Sequence, residues 1–197
     1  LGNATAMANA NSSWIGLNGT GIIVTVGDTG IDSGVNDSTM HPDFADHIKG
    51  IQSWPAKGCT YTSPSDPGPC DDGAEDDDGH GTHVSGSVLG DGTLDSSVFG
   101  TAPEAQLLFH AWQQNGCFGC GIPYDLVEIF DLAVENGSQI HTNSWGAPYY
   151  GAYTTNSAAV DSGAYKHQDL VIMFAAGNDG SDSNGDGEID DDSLGSP

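Results

Sequence analysis

Two glycine-rich segments place a carboxylate and an imidazole where chemistry could use them: Val26-Gly27-Asp28-Thr29-Gly30-Ile31-Asp32 and Asp78-Gly79-His80-Gly81-Thr82-His83-Val84-Ser85-Gly86. An imidazole oriented by a carboxylate can take the proton of a hydroxyl nucleophile and return it to a leaving group. The oxyanion formed in between needs fixed hydrogen-bond donors. Taken singly, each residue has a plainer reading, Asp28 as a turn aspartate after a strand and His80 as a surface-loop histidine. Phe174-Ala175-Ala176-Gly177-Asn178-Asp179-Gly180 offers an amide donor in Asn178, although Gly-Asn-Asp-Gly is also ordinary turn sequence. A separate pattern runs through the acidic stretch 179 to 193, where Asp182, Asn184, Asp186, Glu188 and Asp190 occupy alternate positions. Hard oxygens at alternate positions, with glycine for the sharp turn, suit calcium. Ser193 stands where an EF-hand loop has its bidentate acid, so the match is incomplete; Asp191 or Asp192 could substitute, and the alternative is an unliganded acidic loop. The cluster Asp71, Asp72, Glu75, Asp76, Asp77 and Asp78 is a less patterned candidate for a cation. Its carboxylates, next to His80, should favour the protonated imidazole and raise its pKa.

These residues must be delivered by defined elements. The apolar run Gly21 to Val26 ends in glycine and reads as a buried strand with Asp28 at its carboxyl end, where open α/β sheets carry their sites. Residues 55 to 79 break all periodicity and form a long acidic, cysteine-containing loop. Thr82 to Leu89 follows as a packed helix with His80 at its entrance, and Gly86 inside it suggests close approach by another element. Ala105 to Phe109 is a second strand. A helix with Pro123 near its first turn carries Leu126, Ile129, Phe130 and Ala133 at helical spacing and stops before Gly137. Ile140 to Trp145 reads as a strand, 156 to 166 as a helix, and Leu170 to Phe174 as a fully buried strand. Residues 1 to 13 are small and polar, an extended arm. The alternation predicts one α/β domain built on a doubly wound, mostly parallel sheet with helices on both faces.

With three lysines (Lys49, Lys57, Lys166), no arginine and 28 acidic residues, the formal net charge is -25. Such a field repels nucleic acid and anionic membranes and suits either a salt-adapted surface or cation binding. No stretch is apolar enough for a membrane span. Four cysteines allow three pairings, and joining Cys59 to Cys70 and Cys117 to Cys120 closes the shortest loops. Disulfides would fit an extracellular protein; a four-thiolate zinc site and free thiols are the alternatives.

The two motifs and the Asn178 segment, in this order, resemble the aspartate, histidine and oxyanion-asparagine signatures of the subtilisin-like serine proteases. The segments Gly86-Ser87-Val88-Leu89-Gly90, Ala102-Pro103, Ile140-His141-Thr142-Asn143-Ser144-Trp145-Gly146-Ala147 and Gly151-Ala152-Tyr153-Thr154-Thr155 are similar to the alkaline, oxidation-resistant subgroup, so the likeness covers most of residues 14 to 197. By that resemblance Asp28 orients the imidazole, His80 is the base and then the acid, and Asn178 donates to the oxyanion. His83 is assigned no role and is expected to be a satisfied, partly buried histidine. Ser144-Trp145-Gly146 would pair with an extended substrate backbone, and Ala175-Ala176-Gly177 would leave room for a substrate side chain. The resemblance implies a secreted, calcium-stabilised endopeptidase acting on proteins or peptides. It also implies a Gly-Thr-Ser-like nucleophile segment, which these 197 residues do not contain, so the serine is expected on a further C-terminal part of the same domain. The rival expectation is a catalytically incomplete module that binds peptides or calcium. An aspartic-protease pairing of Asp28-Thr29-Gly30 with Asp161-Ser162-Gly163 is disfavoured, because Asp161 falls in a polar helical pattern.

Overall fold

The computed structural model describes residues 17–57, 73–114, 116–149, 151–178, 180–190 and 195–197. The arm 1 to 13, Cys59, Cys70, Asp71, Asp72 and residues 191 to 193 lie outside them. Among the described residues five strands form one parallel sheet: β1 (Ile23–Asp28), β2 (Ile48–Ser53), β3 (Gln106–Ala111), β4 (Ile140–Asn143) and β5 (Val171–Phe174), in the order β2-β3-β1-β4-β5. Three helices among the described residues accompany them, α1 (His80–Leu89), α2 (Val127–Glu135) and α3 (Thr155–Lys166).

Strand alternation divides the core in two. Val24 and Val26 of β1 join Leu107 and Phe109 of β3 on one face, under Val84, Val88 and Leu89 of α1. On the other face Trp112, Ile129 and Phe130 form a second cluster with Ala159 and Val160 of α3. A Cβ at Gly27 would lie 2.6 Å from the Trp112 ring, so the strand's missing side chain is what lets that indole close over the sheet. Helices therefore cover both faces, the α/β arrangement that the alternation of elements predicts. The start of β1 is tied to β4, because Gln139 Oε1 accepts the Ile23 amide at 2.8 Å.

Several expectations are corrected. Pro123 is outside α2, which begins at Val127 after an Asp125 side chain that accepts the Val127 amide. The strand expected over 140 to 145 stops at Asn143. β5 is not fully buried: Val171 and Met173 are 55% and 47% exposed, because the strand lies at the sheet edge with only one face covered. β2, unpredicted, is the opposite edge, and its register slips between Ile48 and Gly50. Gly86 is not a close-approach point, since a Cβ there would meet nothing nearer than Phe44 Cζ at 3.8 Å. Asp161 sits exposed on α3 and accepts the Tyr153 hydroxyl at 2.6 Å, in an environment unlike that of Asp28. No helix among the described residues is long and apolar enough to cross a membrane.

Candidate active site

Asp28 is the last residue of β1 and is inaccessible to solvent. His80 opens α1 directly above it, and its Nδ1–H donates to Asp28 Oδ1 at 2.6 Å while 48% of the side chain stays exposed. The Thr29 amide donates to the same oxygen at 2.8 Å. Close packing makes this contact possible. A Cβ on Gly81 would be 2.2 Å from the Gly30 carbonyl oxygen and 3.1 Å from Asp28 Cβ, so the helix can reach the strand only without a side chain at that position.

The electrostatics follow from this placement. Burial holds the Asp28 carboxyl above its ordinary range, although the hydrogen bond from His80 and the Thr29 amide pull it back. The imidazole of His80 is raised, first by its hydrogen bond to Asp28, against a desolvation cost, with the charges of Asp28, Asp78 and Asp76 adding to the rise. The direction anticipated from the acidic cluster is thus present, with Asp28 as its main source. Asp76 is engaged with protein donors: its carboxylate accepts from Thr29, Gly79 and Thr82. His83 is exposed rather than partly buried.

A cleft of about 360 Å³ opens beside the imidazole. It brings together His80, Ser144, Trp145, Gly146, Ala175, Gly177 and Asn178, which come from α1 and from the carboxyl ends of β4 and β5. Ala176 lies between two lining residues, and its carbonyl accepts the amide of Gly195, which also lines the cleft, at 2.8 Å. Asn178 is exposed. Buried Asn143 fixes the two strand ends, donating from Nδ2 to the Met173 carbonyl at 3.1 Å and accepting from Trp145 Nε1 at 3.1 Å. Residues 195 and 196 run alongside, Ala147 and Ser196 exchanging both backbone hydrogen bonds. Cys117 and Cys120 are joined, and the small loop they close presents Phe118 to the cleft. Phe118 was not singled out from sequence; its position between two cysteines at short spacing was the available signal.

The 182 to 190 loop is exposed and wrapped on itself. Asp182 accepts the amides of Gly185, Asp186 and Gly187, Asn184 that of Asp186, Asp186 that of Glu188, and Asp190 that of Ser183. Among the described residues no three acidic, histidine or cysteine side chains are gathered as metal ligands. As folded, these side chains accept backbone amides of the turn.

A family model described as the subtilase family, peptidase S8, matches residues 19–195. The chain belongs to the subtilase family. It is 31% identical over 185 residues to the subtilisin of a Bacillus species, covering 89% of this chain and 41% of that protein. It is 32% identical over 170 residues to subtilisin Savinase of Lederbergia lenta, covering 85% of this chain and 52% of the relative. Among solved structures, a psychrophilic protease superposes with a TM-score of 0.58 at 28% identity, covering 91% of this chain and 53% of that one. A protease from Pseudoalteromonas arctica shares the fold at a TM-score of 0.63 and 21% identity, covering 87% of this chain and 54% of the other. This subtilase chain therefore spans about half the length, or less, of the proteins it matches.

Proposed function

We propose that the protein is a subtilisin-type serine endopeptidase in which Asp28 orients His80, His80 is the general base and acid, and Asn178 donates to the oxyanion. The serine hydroxyl that completes the set we place in the part of the relatives' length that this chain does not span. The observation that carries the proposal is the 2.6 Å bond from His80 Nδ1 to a carboxylate with no solvent access, at the edge of a cleft. Donation from Nδ1 leaves Nε2 as the ring's free basic position, and the buried carboxylate stabilises the imidazolium that forms when Nε2 takes a proton. Ser144 to Gly146 and Ala175 to Gly177 would flank an extended peptide, one as a strand partner and the other as the wall of a side-chain pocket. The Cys117 to Cys120 bond supports a secreted protein.

The test is covalent labelling of the protein, carrying its serine-bearing part, by a fluorophosphonate. Labelling is expected to fall as pH drops through the ionisation of His80, because the protonated ring cannot act as a base. That limb should lie above the ordinary histidine value of 6.5, since Asp28 raises the group. A protein that is not labelled at any pH would sink the proposal.

Calcium binding at 182 to 190 is the second part of the proposal, supported by the alternating oxygen pattern of Asp182, Asn184, Asp186, Glu188 and Asp190. Saturating calcium is expected to raise the melting temperature by a few degrees, the scale of ~1 to 2 kcal/mol from ligand linkage in a domain of this size. Asp182→Asn with Asp186→Asn should cancel the increment. An equal rise in that variant would place the ion elsewhere.

A further inference from the structure

The first turn of α1 has no cap of its own. Gly79 stands at the N-cap in a left-handed conformation with no side chain to offer, so the leading amides need partners from elsewhere. Thr29 of the strand end and Asp76 just ahead of the helix supply them: the Gly81 amide donates to Thr29 Oγ1 at 2.9 Å and the Thr82 amide to Asp76 Oδ2 at 2.8 Å. The Thr82 hydroxyl reaches the same Asp76 oxygen at 2.5 Å. On the other oxygen, Oδ1, Asp76 accepts the Thr29 hydroxyl at 2.7 Å and the Gly79 amide at 3.0 Å. The segment carrying Asp76 is itself held, because Ile31 donates to the Ala74 carbonyl at 2.9 Å and Asp76 to the Asp32 carbonyl at 3.0 Å.

We propose that Asp76 is a positioning residue for the Asp28 and His80 pair, a single carboxylate that buckles the end of β1 to the first turn of α1. The inference rests on the reading of those two residues as the acid–base pair. Thr29 is the link: its amide holds Asp28 Oδ1, and its hydroxyl accepts from Gly81 and donates to Asp76. The residue that fixes the proton acceptor is thus bound to the turn that carries the donor. An ionised carboxylate is the group suited to this place, since every partner of Asp76 is a donor and its charge lies at the positive end of the helix. Asp77 and Asp78 carry the same charge nearby but are exposed.

The experiment is nitrogen and proton NMR of the protein carrying its serine-bearing part. Wild-type His80 Nδ1–H should appear as a downfield, slowly exchanging resonance that is lost in Asp28→Asn. Asp76→Asn sets an amide N–H₂ against other donors and should speed exchange of that proton roughly tenfold or more, the scale of one lost hydrogen bond to a charged group. Thr29→Val should act in the same direction. Asp78→Asn is the control for charge, expected to lower the imidazole pKa and leave the exchange rate as in wild type. If Asp76→Asn behaves like Asp78→Asn, with the pKa moved and exchange unchanged, Asp76 acts through charge alone and the proposal is overturned. Should Asp76→Asn not fold, Thr29→Val decides on the same terms. A wild-type spectrum with no Asp28-dependent Nδ1–H resonance would instead remove the acid–base reading, and the Asp76 proposal with it.

Discussion

Below pH 6.5 the protein is expected to lose stability steeply, through two core histidines that take no part in the proposed chemistry. His110 of β3 and His141 of β4 are both inaccessible, and their rings lie 5.4 Å apart between Trp54, Trp112 and Phe130. Among the described residues His110 has no hydrogen-bond partner on either ring nitrogen, and His141 has none on Nε2; its Nδ1 meets Asn143 Nδ2 at 3.0 Å. Among the described residues no carboxylate stands against either ring to stabilise an imidazolium. Burial pushes His110 down from 6.5 to about 3, and His141 well down by burial and by the neighbouring His110. Unfolding releases both to the ordinary value, so between pH 6.5 and 3 the unfolded chain binds more protons than the folded one. Stability is therefore fully present above 6.5 and drains as pH falls. For one histidine with that displacement, linkage gives a loss of ~2 kcal/mol at pH 5 and ~4 to 5 kcal/mol below pH 3. His80, raised by Asp28, runs the other way: its contribution is present at low pH and fades as pH rises through its folded value. Melting curves from pH 7.5 to 4.5 should show the drop, roughly 4 to 8 °C per histidine at pH 5 for a chain of this length. His110→Phe together with His141→Phe should flatten it. If that double variant and the wild type keep the same slope against pH, these histidines are not the sensors.

That pair also shows where sequence stops being informative. In Leu107-Leu108-Phe109-His110-Ala111 a histidine interrupts an apolar run and in Ile140-His141-Thr142-Asn143 it follows a single apolar residue, and alternation cannot tell that both rings land on one face, His110 beside Gly27 and His141 beside Thr25 of the strand between them. Asp28 and His80 were legible because their two motifs, in this chain order, resemble the aspartate and histidine signatures of the subtilase family. Asp76 was not, because Asp77 and Asp78 look the same in composition and only the turn into Gly79 decides which carboxylate points inward. β1 and β3 stood out as apolar runs. β2 did not, since Ile48-Lys49-Gly50-Ile51-Gln52-Ser53 is an edge strand with a slipped register and little hydrophobic contrast. The opposite error occurred at β5, where a uniformly apolar string concealed that Val171 and Met173 face solvent.

Glycine spacing in α1 was misread in the same way, and the correction yields the second large effect: Gly81→Ala should be severely damaging and Gly86→Ala stabilising. At Gly81 the new methyl would sit 2.2 Å from the Gly30 carbonyl oxygen and 3.0 Å from Phe109 Cζ. The carbonyl belongs to backbone already pinned by the Ile31 to Ala74 hydrogen bond, and a Cβ on Gly30 would itself be 2.4 Å from the Glu75 carbonyl oxygen. Neither side can yield by turning a side chain, so the helix has to retreat by about 1 Å, at a cost of ~3 kcal/mol as for overpacked cores. His80 is the adjacent residue and moves with it, stretching its 2.6 Å bond to Asp28. A misplacement of that size costs about a hundredfold in rate where geometry is the source of catalysis. Gly86 has ordinary space around it, and alanine there should gain ~0.5 to 1 kcal/mol from helix propensity alone. Urea unfolding of both variants checks the pair, with hydrolysis of a peptide substrate by the serine-bearing protein as the second readout. Equal stability changes in the two would show that α1 does not rest on β1 through Gly81, and an unstable Gly81→Ala with wild-type turnover would separate that contact from the placement of His80.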